Sequence, residues 1–212
     1  MSTENNPHRL NWSTRLQAIA QNGLTFAHDP YDIERYQAIR EIAAEMLAVG
    51  SGLEISVIRN LISADTGYAT PKVDVRGAVF RDNKILLVQE KSGGGWTLPG
   101  GWADVCELPA ENVIREVFEE SGLQTRATKI LALWDRSKHP HQPPFPFRVY
   151  KVFVLCDIIG GTATPGSETD SVDFLGEREL PELTQTRVTS GQIQRLFEHL
   201  RDPNLPTDFD QT

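Results

Sequence analysis

Three glutamates, Glu116, Glu119 and Glu120, fall three and four residues apart in the run ENVIREVFEE. On a helix that advances about 100° per residue they share one face. Carboxylates crowded on one face repel each other, which costs stability. A hard divalent cation with oxygen ligands removes that cost, and Mg²⁺ also takes phosphate oxygens as partners. The plain alternative is a solvated acidic face. The neighbours argue against it. Arg115 lies on the adjacent flank, where it can pair with Glu107 and hold the preceding loop to the helix. Gly100 and Gly101 let a backbone carbonyl approach an ion with no side chain in the way. The pattern points to divalent-cation chemistry on a phosphorylated molecule.

The acids need a helix with a loop before it, and the surrounding sequence supplies both. Helical periodicity covers about Leu108 to Ser121, and Gly122 closes the run. Upstream, VDVRGAVF and KILLVQE are β-type runs separated by Arg81, Asp82 and Asn83, the pattern of a hairpin. Further strands are expected at Lys129 to Trp134 and Arg148 to Ile158, and an amphipathic helix at Thr189 to Leu200. Residues 10 to about 64 read as helices, with segments at Trp12–Gln21, Asp32–Leu47 and Ile55–Ser63. The Gly- and Pro-punctuated TGYATP follows as a linker. Three regions are therefore expected: a helical unit over 1–65, a mixed strand-and-helix domain over 72–202, and a loose tail over 203–212. The mixed order implies an α/β fold, a sheet with helices on both faces. The apolar stripe from Ile33 to Leu47 needs a cover, and a homodimer is the expected one.

Composition narrows the function. The 212 residues carry a formal charge of -8, so no global field draws in nucleic acid. Cys106 and Cys156 are far apart and lack metal-ligand spacing, which reads as two free thiols in a reducing compartment. No basic start followed by an apolar run marks a signal peptide, and no apolar run is long enough to span a bilayer. A cytoplasmic protein with no membrane partner is expected.

The segment GWADVCELPAENVIREVFEESGL resembles the Nudix box, Gly-x5-Glu-x7-Arg-Glu-aliphatic-x-Glu-Glu-x-Gly-aliphatic. Every fixed position is filled, by Gly101, Glu107, Arg115, Glu116, Val117, Glu119, Glu120, Gly122 and Leu123. The resemblance implies a Nudix α/β/α sandwich with a mixed sheet behind a small all-α N-terminal domain. It implies a hydrolase in which an activated water attacks one phosphorus of a diphosphate. It assigns Glu116 and Glu120 as principal ligands of Mg²⁺, with Mn²⁺ as a substitute, and Glu119 and the Gly100 carbonyl as further ligands. In some subfamilies the base is a glutamate outside the box. Glu168, in GSETDSVDF, is the best-placed candidate, with Asp170 and Asp173 as rivals.

The helical segments RLQAIAQNGLTF and DPYDIERYQAIREIAAEML are similar to the extension of a subgroup that includes CDP-choline pyrophosphatases and proteins labelled ADP-ribose pyrophosphatases. TPKVDVRGAVF, WTLPGGWADV, ALWDR and YKVFVLC continue the likeness. Cys106 stands where this subgroup often has a small residue such as Gly. The resemblance implies a small nucleoside diphosphate derivative as substrate. CDP-choline, giving CMP and phosphocholine, is the leading expectation, and ADP-ribose, giving AMP and ribose 5-phosphate, the second. A choline group would want an aromatic cage, for which Trp96, Trp102, Trp134 and Phe145 are available. A reading from another class is a ligand-sensing regulator on the same fold. An intact box and a helical unit in which acids outnumber arginines argue against it.

Several polar residues are candidates for substrate contact. Asp74 and Arg76 point to one face of a β-run, where they either pair or line the pocket. Asp135, Arg136 and His139 follow an apolar strand and could reach the diphosphate or head group; a solvated loop is the alternative for His139. Lys151, inside VYKVFV, is either a phosphate contact or an edge-strand gatekeeper. Trp102 either shapes the pocket mouth or packs.

Overall fold

The computed structural model describes residues 7–143 and 145–211. Residues 1–6 of the expected helical unit and Thr212 of the expected tail lie outside the described residues. The chain forms two compact units, and residues 143–148 join the first of them.

The first unit holds α1 (Pro7–Phe26), α2 (Pro30–Ser51) and α3 (Ile55–Ala64). Asp29 starts α2: its carboxylate accepts from the N–H groups of Tyr31 and Asp32 at 2.9 and 3.2 Å, and Pro30 occupies the first helical position. Ala44, Leu47, Ile58 and Ile62 form a small core between α2 and α3. The faces of α1 are inverted relative to an ordinary amphipathic helix. Ser13, Gln17 and Gln21 are buried, whereas Trp12, Ile19 and Phe26 are more than half exposed. The expected linker is tied to α1, since Gln21 donates to the Gly67 carbonyl at 3.1 Å and Ala69 donates to Asn22 at 2.7 Å. Arg148 donates to Asn11 at 2.8 Å, one reason residues 143–148 cluster here and not with the strands that flank them.

The second unit contains two sheets. The first joins β1 (Lys72–Ala78), β6 (Val149–Gly161), β5 (Leu123–Asp135) and β8 (Asp208–Phe209) in that order. It is mixed: β1 and β6 run parallel, β5 and β6 antiparallel, and β8 parallel to β5. The second is antiparallel, with β3 (Lys84–Glu90) paired to β2 (Phe80–Arg81), β4 (Trp96–Thr97) and β7 (Thr169–Leu175). Asp82 and Asn83 form the hairpin tip at φ 52° and 58°, a conformation that favours these short polar residues. Two helices cover the sheets, α4 (Pro109–Ser121) and α5 (Ser190–Arg201). Val113 and Val117 of α4 meet Val75, Leu86 and Val154 in one core. Ile193, Leu196 and Phe197 of α5 meet Leu87, Leu131 and Phe153 in the other. This is the α/β/α arrangement expected of the sequence.

Two expectations require correction. Lys151 is no edge-strand gatekeeper, because β6 is paired on both sides. Residues 203–211 are not a loose tail. Asp208 receives Arg195 at 2.5 and 2.8 Å, and His199 is 3.0 Å away. Lys129 donates to the carbonyls of Pro203 and Leu205 at 2.8 and 2.6 Å. Composition gives this segment little to bury, yet its acids and carbonyls meet cations fixed elsewhere in the fold. No described helix is long and apolar enough to cross a membrane.

Candidate active site

The loop before α4 and the helix itself are built to face each other. Pro109 sits in the first turn, and Glu111 accepts from the Leu108 N–H at 2.8 Å. Gly122 ends the helix in the left-handed region at φ 71°. Asn112, buried on the inner face, accepts from the Asp104 N–H at 2.6 Å and so ties the loop to the first turns. A polar side chain on an otherwise apolar helix face is the sequence signal by which Asn112 could have been found.

Arg115 is the hub. Its guanidinium donates to Asp104 at 2.8 Å, Glu107 at 3.1 Å, Glu116 at 2.9 Å and Glu119 at 3.0 Å. Burial works against its charge, but these bonds outweigh it and hold the guanidinium protonated. Glu119 is therefore turned toward Arg115, while Glu120 turns inward and accepts from the Gly100 N–H at 3.0 Å. Burial pushes the Glu120 carboxyl up to about 7, and raises Glu116 as well. Gly100 has φ 141°, and a Cβ there would lie 2.0 Å from the Val75 carbonyl oxygen. A Cβ on Gly101 would lie 3.0 Å from a Glu116 oxygen. Gly100 is thus required by the close approach of loop and β1, whereas a Cβ at Gly101 would press only on the end of the Glu116 side chain.

Among the described residues, no three His, Cys, Asp or Glu side chains are already gathered as a metal cage. The donor chemistry nonetheless fits a hard divalent cation. Burial holds the Glu116 and Glu120 carboxyls against ionising, and the Gly100 backbone lies beside them, its N–H 3.0 Å from Glu120. The loop bearing Glu168 reaches the same helix end. Thr169 donates its hydroxyl to the Glu120 carbonyl at 2.8 Å, and the Glu168 carbonyl accepts from Lys91. Glu168 itself is exposed. Asp173 pairs with Leu87, four residues farther along β7 than Thr169, and its carboxylate accepts from the Phe174 N–H. The structure therefore brings the loop of Glu168 and Asp170, and not Asp173, to the end of the acidic helix.

The candidate substrate contacts separate into two groups. Asp74, Arg76 and Lys151 are buried together: Arg76 forks onto Asp74 at 2.9 and 2.7 Å, and Lys151 donates to it at 2.5 Å. Burial raises the Asp74 carboxyl, but Arg76 and Lys151 outweigh that and hold it below its ordinary value. One anion cannot satisfy two cations equally. The bidentate guanidinium keeps its charge, and burial together with Arg76 pushes Lys151 down to about 7. Arg76 lies close enough to Glu120 to feel its charge, which makes this triad the floor behind the acids. Trp102 bridges to Asp74 through the backbone and is 43% exposed. The second group follows the end of β5, beside the first: Arg136 lies close enough to Asp74 and Lys151 to act on their charges. Asp135 caps a single 3-10 turn, Arg136–Lys138. The Asp135 N–H donates to Asp210, and His139 is 3.3 Å from the same carboxylate. Arg136 is buried. His141, which sequence reasoning did not single out, is buried with Nδ1 on the Gln185 carbonyl, and burial pushes it down to about 4.

An acidic helix clamped by one arginine, fronted by a glycine loop and set against a mixed sheet, defines a diphosphate-cleaving hydrolase. The chain belongs to the Nudix hydrolase family: residues 70–196 match the NUDIX domain, and residues 7–62 match the UDP-X-like, N-terminal oligomerisation domain. It is similar to YjhB of Bacillus subtilis (strain 168), provisionally assigned as an ADP-ribose pyrophosphatase, at 46% identity over 95% of this chain and 96% of that one. Among solved structures it resembles a UDP-X diphosphatase (TM-score 0.62, 30% identity, 96% and 98% of the two chains). It also resembles an ADP-ribose pyrophosphatase from Streptococcus suis 89-1591 (TM-score 0.61, 42% identity, 66% and 100%). The protein is accordingly a pyrophosphatase acting on nucleoside diphosphate derivatives, of a family that uses divalent metal ions.

Proposed function

We propose that the chain hydrolyses ADP-ribose to AMP and ribose 5-phosphate with Mg²⁺, and that CDP-choline is the lesser substrate. The observation that carries the choice against choline is the placement of the aromatics. Trp96 and Trp134 pack into the α5-side core, so they are not free to build a cation cage with Trp102. The names of the relatives favour ADP-ribose in the same direction.

In this reading Glu116, Glu120 and the Gly100 carbonyl hold the cation, with Glu119 as an additional ligand. A bound Mg²⁺ lowers the pKa of water and offsets charge on the phosphate oxygens. The protein's own part is to aim and to hold charge. Arg115 and Glu107 keep the loop on the helix, Glu168 accepts the proton of the attacking water, and Arg76 keeps positive charge behind Glu120. The exposed row of Trp12, Ile19 and Phe26 supports a homodimer built through α1, in keeping with the oligomerisation domain that residues 7–62 match.

The test is a screen of ADP-ribose, CDP-choline and UDP-sugars with Mg²⁺, following release of phosphomonoester, with Glu120→Gln as control. ADP-ribose is expected to give the highest kcat/KM, and Glu120→Gln to lower turnover by orders of magnitude while the protein stays folded. Higher kcat/KM on CDP-choline overturns the substrate choice, and near-normal turnover of Glu120→Gln overturns the metal site.

A further inference from the structure

The segment between β7 and α5 carries an arginine that the sequence pattern does not single out. Arg187 stands two residues before Thr189, the cap of α5. Its segment is braced on both sides. Trp96 of β4 donates its N–H to the Glu182 carbonyl at 3.0 Å, and its carbonyl accepts from Thr184 at 2.8 Å. On the other side the Gln185 carbonyl accepts from His141 Nδ1 at 2.8 Å, and the Thr186 carbonyl from Arg136 Nε at 3.4 Å. The Arg187 N–H itself donates to the Thr184 carbonyl at 2.8 Å. A side chain rooted in so constrained a turn can aim its charge, which is what a positioning group must do.

The guanidinium is only partly used. Nε of Arg187 donates to Glu90 Oε1 at 3.1 Å, one of the five N–H donors it owns. Among the described residues neither terminal nitrogen has a partner, and the side chain is 38% exposed. The surroundings say what that open edge could hold. Glu90 lies close enough to Glu120 to act on its charge, and Arg76 feels both acids. Arg187 in turn acts on Arg136, which acts on Lys151. Arg187 therefore stands between the acidic helix and the buried cations. Arg76, Lys151, Arg136 and Arg187 gather here, and the acids paired within the group are Asp74 and Glu90. Positive charge in excess of its counterions is costly to bury, and a bound anion removes that cost. A cation on Glu116 and Glu120 would hold one phosphate of a diphosphate. The other phosphate needs donors of its own beside the acids, and a guanidinium edge matches two oxygens of one phosphate.

We propose that Arg187 grips, through its two terminal nitrogens, the substrate phosphate that the cation does not hold, while Glu90 steadies the guanidinium from behind. The proposal rests on the substrate being a nucleoside diphosphate derivative, and adds a substrate-positioning residue outside the box.

The measurement is calorimetric binding to the full chain, with Mg²⁺, of the α,β-methylene analogues of ADP, CDP and UDP. Their P–C–P link resists hydrolysis. kcat/KM for ADP-ribose is followed alongside. Wild type is expected to bind at least one analogue. Arg187→Met should weaken that binding at least about tenfold and lower kcat/KM by at least as much. Arg187→Lys keeps the charge but loses the fork, and should fall between the two. The competing account is that Arg187 only neutralises Glu90. The double variant Glu90→Gln/Arg187→Met separates the two, because it removes both charges and leaves neither unpaired. It should fold even where the single variant does not. If Arg187 grips phosphate, the double variant stays at least about tenfold weaker than wild type. Recovery of wild-type binding in the double variant overturns the proposal, as does undiminished binding in Arg187→Met or absence of analogue binding to the wild type. Analogue binding needs no hydrolysis, so it reads Arg187 even if ADP-ribose proves not to be cleaved. Normal ADP-ribose hydrolysis by Arg187→Met removes this role and leaves the hydrolase intact.

Discussion

Replacing Lys151 with methionine separates the charge of the buried triad from its packing. Asp74 keeps its two bonds from Arg76 when the ammonium is removed, and methionine fills a similar volume. Lys151 is pushed down to about 7 from an ordinary 10.5. Between those values the unfolded chain holds a proton that the folded chain does not. The wild type therefore gains stability as pH rises from about 7, by at most about 1.4 kcal/mol per pH unit, and loses that gain as pH falls back. The gain is complete above the unfolded value. Methionine has no such dependence. From pH 7 to pH 9.5 the wild type should gain about 3 kcal/mol relative to Lys151→Met, and at pH 7 the variant should be at least as stable. Urea unfolding of both proteins across that range measures the difference directly. A pH-independent difference would refute the reasoning, and so would a loss of about 3–5 kcal/mol by the variant at pH 7, the signature of a broken essential pair.

Gly100→Ala places a Cβ against the Val75 carbonyl at φ 141°, and should cost at least about 2 kcal/mol in thermal unfolding and most of the turnover. Cys106 holds φ 68°, a conformation that favours glycine; Cys106→Gly should raise stability by up to about 1 kcal/mol in the same assay without changing kcat. Asp208→Asn removes the carboxylate that Arg195 and His199 share, and should cost about 1–3 kcal/mol and expose residues 203–211 to limited proteolysis. The bond from Arg195 holds the Asp208 carboxyl below its ordinary 3.8, so the wild-type advantage is present above about pH 4 and fades as pH falls through the folded value.

What the sequence disclosed and what it hid follow from range. The acidic helix was legible because its residues answer to a local rule: Glu116, Glu119 and Glu120 are on one face wherever the helix is placed. Gly122 marks its end for an equally local reason. The triad could only be half read. That Asp74 and Arg76 share a face is a property of one strand, but that Lys151 meets them depends on the register of β1 against β6, set by residues 77 positions apart. The C-terminal strand was misjudged because two residues carry no strand signal. It forms through Asp208 and Lys129, whose partners are neighbours only after folding.

The grip of Arg115 on four carboxylates has a consequence for how loop and helix stay together. A guanidinium presents five donors in a rigid fork, so one side chain can span loop and helix at once. Lysine, a single point of charge on a flexible stem, could neutralise one acid but could not span the set. The segment before α4 is thus moored through a single residue, while Glu120, beyond that reach, is left to the Gly100 N–H.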